Sequence, residues 1–276
     1  MIPAPFEYVR ASSVSEAVAA LAEHGDEAKL LAGGHSLLPL MKLRLAFPSV
    51  LVDVGRLRSL SYARVEGDQV AIGALTRHAE LEASELLRRE VPLLPEVARL
   101  VGDRQVRRRG TIGGSLSHAD PAADLPCAIR ALDATLVMEG PAGSRRVAGA
   151  EFFTGYFETA LRPDEMLVEI RVPRRPSERA AYEKFVRRAN DWAIVAVAVA
   201  GDRVALANMG SVPLRATATE QALAAGAAPD EAAERAAEGT EPVTDMHAGP
   251  EYRAHLARLL TRRALARSVL VTRPDM

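Results

Sequence analysis

Apolar positions change their spacing along the chain, and each change predicts an element. Residues 6–10 read as a short strand. Val14, Val18 and Leu21 then recur at helical spacing behind Ser13-Val14-Ser15-Glu16, where Ser and Glu fit a capping box, and Gly25 offers a stop. Residues 29–31 and 50–54 are apolar strand candidates, so the first sixty residues read as a small β-α-β unit. Two runs flanking Glu66-Gly67-Asp68 predict a hairpin within residues 62–75, and residues 78–101 predict helix interrupted by Pro92 and Pro95. In Asp120-Pro121, the aspartate is placed to cap a helix whose first residue is the proline. Residues 135–139 and 166–172 predict strands, and Pro173 with Pro176 marks a domain boundary. Beyond it, residues 193–199 and 204–207 form a hairpin around Gly201-Asp202. Residues 216–238 are Ala-rich helix, and Tyr252, Leu256 and Leu260 share one face of a last helix.

Between the second strand and the next helical segment lies Ala32-Gly33-Gly34-His35-Ser36-Leu37. Adjacent glycines there allow positive φ and let successive N–H groups converge on an anion such as a phosphate. A plain tight turn is the competing reading. Thr111-Ile112-Gly113-Gly114-Ser115 repeats the double glycine with a small hydroxyl, so two loops are available to grip two ends of one ligand. Arg107, Arg108 and Arg109 stand immediately before the second loop, either as a solvated charged turn or as attraction for a phosphate or an acidic partner.

Composition narrows the classes without naming a partner. A chain of 276 residues, 48% hydrophobic, buries a substantial core. With 35 basic and 36 acidic residues, its net charge of -1 gives no reason to expect nucleic acid or an anionic membrane surface. The single cysteine, Cys127, excludes an internal disulfide and cannot by itself hold an iron–sulfur cluster. No basic-then-apolar leader and no bilayer-length apolar run are seen, so a cytoplasmic protein without membrane insertion is expected.

The set Lys29-Leu30-Leu31-Ala32-Gly33-Gly34-His35-Ser36-Leu37, Thr111-Ile112-Gly113-Gly114-Ser115, Ala119-Asp120-Pro121-Ala122-Ala123-Asp124-Leu125-Pro126 and Lys184-Phe185-Val186-Arg187-Arg188 resembles the medium, FAD-binding subunit of molybdenum hydroxylases, the carbon monoxide dehydrogenase and xanthine dehydrogenase group. The resemblance covers essentially the whole chain. It implies an α+β fold: a vanillyl-alcohol-oxidase-type FAD-binding domain over residues 1–175, with subdomains of about 1–58 and 59–175, and a C-terminal α+β domain over 176–276. It further implies that the loop from Ala32 to Ser36 wraps the FAD pyrophosphate, Ser36 adding a hydroxyl, and that Thr111, Gly114 and Ser115 form the other half of the cradle. Relatives commonly carry Asn at the position of Ser115, where a hydroxyl replaces part of the amide's bonding. Asp124 matches an acidic residue that contacts sugar or polyol hydroxyls, Leu167 lies against a ring of the cofactor, and Lys29 and Lys184 line the site. The same resemblance extends the site to Leu31, Leu37, Val101, Gly110, Ser117, His118 and Ala123.

The implied function is electron transfer. The chain's FAD takes electrons from an iron–sulfur small subunit, itself fed by a molybdenum-cofactor large subunit, and passes them to an external acceptor. No residue is required as a general base and no metal ligand set is expected. His35 and His118 are accordingly read as binding groups without acid–base duty, and Trp192 as closing the core ahead of the alternative that it packs near the flavin. A stand-alone FAD oxidoreductase and a non-catalytic binding module are the alternatives.

Overall fold

In the computed structural model, which describes residues 2–270, three sheets carry the chain. The first is built from β1 (Glu7–Arg10), β2 (Ala28–Leu31) and β3 (Val50–Asp53), all parallel, in the order β1-β3-β2. Helix α1 (Val14–His24) buries Ala17, Val18, Ala20 and Leu21 under it. Its N-cap departs from the expected box in one arm. Ser13 Oγ accepts from Glu16 N at 3.1 Å, but the Glu16 carboxylate accepts from Ser12 N and Oγ, one residue earlier. Helix α2 (Leu37–Lys42) follows β2 through the glycine loop.

The second sheet has five antiparallel strands in the order β4-β5-β10-β6-β7: β4 (Ala63–Glu66), β5 (Gln69–Gly73), β6 (Thr135–Gly140), β7 (Gly143–Ala148) and β10 (Met166–Pro173). The expected hairpin is present, turning at Gly67 with φ 62°. Between β5 and β6 run six short helices: α3 (His78–Ala83), α4 (Glu85–Glu90), α5 (Leu93–Arg99), α6 (Arg104–Arg109), α7 (Ile112–His118) and α8 (Asp124–Ala131). Pro95 breaks nothing, because it occupies the first turn of α5, where no intrahelical N–H bond is lost. Helix α9 (Gly149–Phe152) and the small pair β8 (Phe153–Gly155) and β9 (Glu158–Thr159) precede β10.

The third sheet is antiparallel: β11 (Ala180–Phe185), β12 (Val195–Ala200), β13 (Arg203–Ala207) and β14 (Leu214–Arg215). Helices α10 (Thr217–Ala224), α11 (Pro229–Ala233) and α12 (Pro250–Leu270) complete the fold. Strand β12 is buried on both faces, and its alternation sorts them. Ala196, Ala198 and Ala200 join the core that contains Leu125, Ala128 and Ile129 of α8, whereas Val195, Val197 and Val199 join Leu256, Leu260 and Ala264 of α12. Small side chains face the helices of the preceding region, drawing the third sheet close onto α8 and α5.

Two sequence expectations change here. The helix expected to begin at Pro121 begins at Asp124: Asp120 Oδ1 instead accepts from Ala122 N at 2.8 Å in an Asx turn. The second glycine pair is the opening turn of α7, with Thr111 as N-cap, and forms no loop.

Candidate functional site

A cavity of about 570 Å³ opens where the three sheets meet. Every site residue expected from the sequence lines it: those around the first glycine pair, those of α7 and its N-cap, Val101, Gly110, Ala123, Asp124, Leu167 and Lys184. The parallel strand β2 delivers the residues from Lys29 to Ser36, strand β10 delivers Leu167, and β11 delivers Lys184.

The two glycine stretches play different parts. Among the described residues, the backbone N–H groups of Gly33, Gly34, His35 and Ser36 have no protein acceptor, and Ser36 precedes α2 without using its hydroxyl as a cap. Consecutive unpartnered donors at a cavity wall suit an anion. In the second stretch the N–H groups are already bonded: Ile112 N to Thr76 O, Gly113 N to Ala74 O, Gly114 N to Thr111 Oγ1 and Ser115 N to Thr111 O. That stretch is a braced wall, and its free polar groups are the hydroxyls of Ser115 and Ser117. The expected cradle of two equivalent loops is therefore corrected to one donor loop facing one wall.

The glycines are needed for separate reasons. Gly34 holds φ at 78°, the left-handed region. Gly33 has no positive φ, but a Cβ there would stand 2.4 Å from Arg109 O and 2.9 Å from Gly110 Cα. Arg109 O also accepts from the Arg77 guanidinium, so it is fixed in place. The donor loop and the turn before α7 are in direct backbone contact.

At the far wall Asp124 is buried at the first turn of α8, where Lys184 Nζ lies 3.0 Å from Oδ2 and Tyr182 OH donates to Oδ1 at 2.7 Å. Burial raises the Asp124 carboxyl above its usual range, with Lys184 and Tyr182 opposing it. Burial first, and then the same carboxylate, pushes the Tyr182 hydroxyl well up. Lys184 also donates to Leu100 O, so it is no solvated lysine. Lys29 is exposed and forms no ion pair among the described residues.

His78, Asn190 and Asp191 also line the cavity and were not anticipated as site residues, and Trp192 joins them. His78 is buried, its Nδ1 has no hydrogen-bond partner, and its ring packs on Gly110. Burial first, then the charges of His35, Arg77 and Arg107, lowers its pKa to about 4. Trp192 is 56% exposed at the rim, not in the core as expected, because it precedes β12 in a segment without strand pairing. Arg107 is likewise placed by its partners, since it pairs with Glu82 at 2.9 Å and donates to Val101 O and Gly102 O. Arg108 and Arg109 remain exposed. His118 packs against Phe157 with ring centroids 5.1 Å apart and the planes tilted by 45°, and burial lowers its pKa.

A second cavity of about 450 Å³ shares Asp191 and Trp192 with the first. Tyr156, Phe157, Arg187, Arg188 and His247 are among its other walls. Among the described residues no group of His, Cys, Asp and Glu could hold a metal ion, and no helix is long and apolar enough to cross a membrane.

This arrangement fits an elongated dinucleotide: unpartnered N–H donors and a lysine for a diphosphate, a carboxylate for hydroxyls, and Leu31, Val101 and Leu167 for ring faces. Comparison with known proteins agrees. Residues 4–175 match the family described as FAD binding domain in molybdopterin dehydrogenase, and residues 180–268 match the CO dehydrogenase flavoprotein C-terminal domain. The chain belongs to this family of FAD-binding chains. It is 42% identical to the carbon monoxide dehydrogenase medium chain of Hydrogenophaga pseudoflava, over 96% of this chain and 97% of that one. It is 38% identical to the 6-hydroxypseudooxynicotine dehydrogenase complex subunit alpha of Paenarthrobacter nicotinovorans, over 99% and 98%. The solved carbon monoxide dehydrogenase from Hydrogenophaga pseudoflava superposes with a TM-score of 0.94 at 43% identity, covering 98% of this chain and 99% of that one.

Proposed function

We propose that this chain is the FAD-carrying electron-transfer subunit of a molybdenum hydroxylase complex, working with an iron–sulfur small subunit and a molybdenum-cofactor large subunit. The observation that carries the reading is the run of four unpartnered N–H groups from Gly33 to Ser36 opposite the Asp124–Lys184 pair, inside a chain of this family. The donor loop, Lys29 and the Ser36 hydroxyl bind the diphosphate; Thr111, Gly114, Ser115 and Ser117 form the facing wall. Asp124 accepts from cofactor hydroxyls while Lys184 and Tyr182 keep its carboxylate aimed. Leu31, Leu37, Val101, His118, Ala123 and Leu167 supply apolar and ring contact, and Gly110 gives close approach. The bound flavin supplies the redox chemistry, taking electrons from a partner and releasing them to an acceptor. No side chain of this protein has to move a proton in that scheme. The second cavity, walled by Trp192 and the Tyr156-Phe157 pair, is the acceptor's approach in this reading.

The relatives' names include carbon monoxide dehydrogenase and 6-hydroxypseudooxynicotine dehydrogenase, over nearly the full length of similar chains. Substrate choice is thus assigned to a partner subunit. The domain division at residues 175 and 176 and a cytoplasmic location belong to the same proposal, supported for the division by the two matched ranges. FAD titration of apo-protein, followed by flavin fluorescence, tests the site: one FAD per chain is expected, and Gly114→Val weakens it. Co-purification from source cells tests the complex. Recovery of this chain alone, oxidising substrate unaided, would overturn the reading, as would a purified chain that takes up no FAD.

A further inference from the structure

Strands β11 and β12 pair from Phe185 opposite Val195, so residues 186–194 form the loop between them. That loop stands between the two cavities: Asn190, Asp191 and Trp192 line the main one, and Arg187, Arg188, Asp191 and Trp192 line the second. Its tip has few ties of its own. Asp191 N donates to Arg188 O at 3.1 Å, Asn190 turns the chain at φ 74°, and the Trp192 ring joins no aromatic pair among the described residues.

The backbone just after Trp192 is held far more firmly. Ile194 N donates to Phe185 O at 2.9 Å and closes the loop. Ile194 O accepts from two buried side chains, Arg253 Nη1 of α12 and, at 3.2 Å, Asn208 Nδ2 just past β13. Asn208 Nδ2 also donates to Ala193 O at 2.8 Å, and Asn208 N donates to Pro121 O at 2.8 Å. The other arm of the Arg253 guanidinium, Nη2, donates to Asp245 Oδ2 at 2.6 Å. Both partners of Arg253, Ile194 and Asp245, are walls of the second cavity.

Arg253 is 0% exposed, and its Nε has no hydrogen-bond partner. A buried charge with one donor left over is a poor stabiliser, since an apolar side chain of similar volume commonly does as well. An apolar side chain does not, however, hold a carbonyl and a carboxylate at fixed points of one plane. We propose that Arg253 is a positioning residue: through Ile194 O and Asp245 it sets where Trp192 stands between the two cavities, and so how closely an electron acceptor approaches the bound flavin. The second half of this inference rests on the functional reading above, in which the second cavity is the acceptor's approach.

The test uses the full chain with Arg253→Lys, because an ammonium lacks the planar fork that reaches both partners. In the apo-protein, acrylamide quenching of Trp192, the single tryptophan, changes at least twofold while far-ultraviolet circular dichroism is unchanged. In the FAD-loaded chain, reduced with light, the concentration of a short-chain quinone that gives half the maximal rate of flavin reoxidation shifts at least threefold, with FAD stoichiometry kept. In a Trp192→Ala background the same substitution produces no further shift, because its effect passes through that ring; a merely structural role gives shifts that add. Asp245→Asn removes only the carboxylate arm, acts in the same direction more weakly, and carries the test if Arg253→Lys does not fold. Native quenching of Trp192 in the folded variants, or shifts that add to that of Trp192→Ala, overturns the positioning role and leaves the functional reading standing. Reoxidation by quinone that Trp192→Ala leaves unchanged overturns the link to the acceptor. A native chain that takes up no FAD overturns the functional reading, and the quenching of Trp192 in the apo-protein still decides whether Arg253 places it.

Discussion

Lys184→Met isolates the energetics of the far wall. The substitution removes the ammonium 3.0 Å from Asp124 and leaves a carboxylate, itself 4% exposed, with the Tyr182 hydroxyl as its remaining side-chain donor. Removing one partner of a buried pair costs about 3–5 kcal/mol, a large share of the roughly 5–15 kcal/mol that holds a domain together. The loss depends on pH. Burial already raises the Asp124 carboxyl, and without Lys184 it rises further above its unfolded value. A folded pKa above the unfolded one favours the neutral acid in the fold, so stability is present at low pH and lost as pH rises through the folded value. The variant is therefore closest to native at low pH, towards the unfolded carboxyl value of about 4, and falls further from native as pH rises above it. Urea unfolding of the apo-protein, followed by far-ultraviolet circular dichroism, measures this; fluorescence is a poor choice because the single tryptophan is already 56% exposed. Adding Asp124→Asn removes the stranded charge, keeps an acceptor for Tyr182, and recovers all but about 1.5 kcal/mol, the upper end of one net hydrogen bond. A loss below about 1 kcal/mol at pH 8, a flat pH profile, or a double variant no better than the single one refutes the argument.

Gly33→Ala drives a Cβ into Arg109 O and is expected to cost about 1–3 kcal/mol with at least tenfold weaker FAD binding, whereas Gly249→Ala, in open space and without a positive φ, costs no more than about 1 kcal/mol and binds FAD normally; fluorescence titration and urea melts read both. His78, with its pKa lowered to about 4, binds no proton between pH 6.5 and 4 while the unfolded chain does. Stability is thus full above pH 6.5 and falls by about 3 kcal/mol towards pH 4, and His78→Gln flattens that stretch of the profile. Trp192→Ala shifts the thermal midpoint by no more than a few degrees, as suits a rim residue, but alters turnover with acceptors of different size in the reconstituted complex.

What the sequence disclosed follows from how locally each feature is determined. Gly33-Gly34 and the strand before them declare a donor loop because conformational freedom and N–H direction are properties of adjacent residues. Gly113-Gly114 carries the same letters, yet Thr111 caps a helix there and takes the Gly114 N–H, so identical composition yields a wall. The signal was present in Thr111 as an N-cap residue. Asp120 misled in the same register, since its side chain closes a turn on Ala122 and the helix waits until Asp124. Lys184 looks like any strand lysine until β11 is laid beside α8, and His78 enters the site only because α3 packs on Gly110. Strand β7 is polar and exposed along much of its length, so no apolar period announces it. Trp192 has no neighbour in sequence that tells rim from core.

The contact between Gly33 and Arg109 joins two stretches far apart in the chain, and the polypeptide alone supplies it. A side chain at residue 33 would press on a carbonyl that the Arg77 guanidinium already holds, so the shape of the donor loop is set in part by residues distant in the chain, and a change at Arg77 or Arg109 reaches the cavity without lining it.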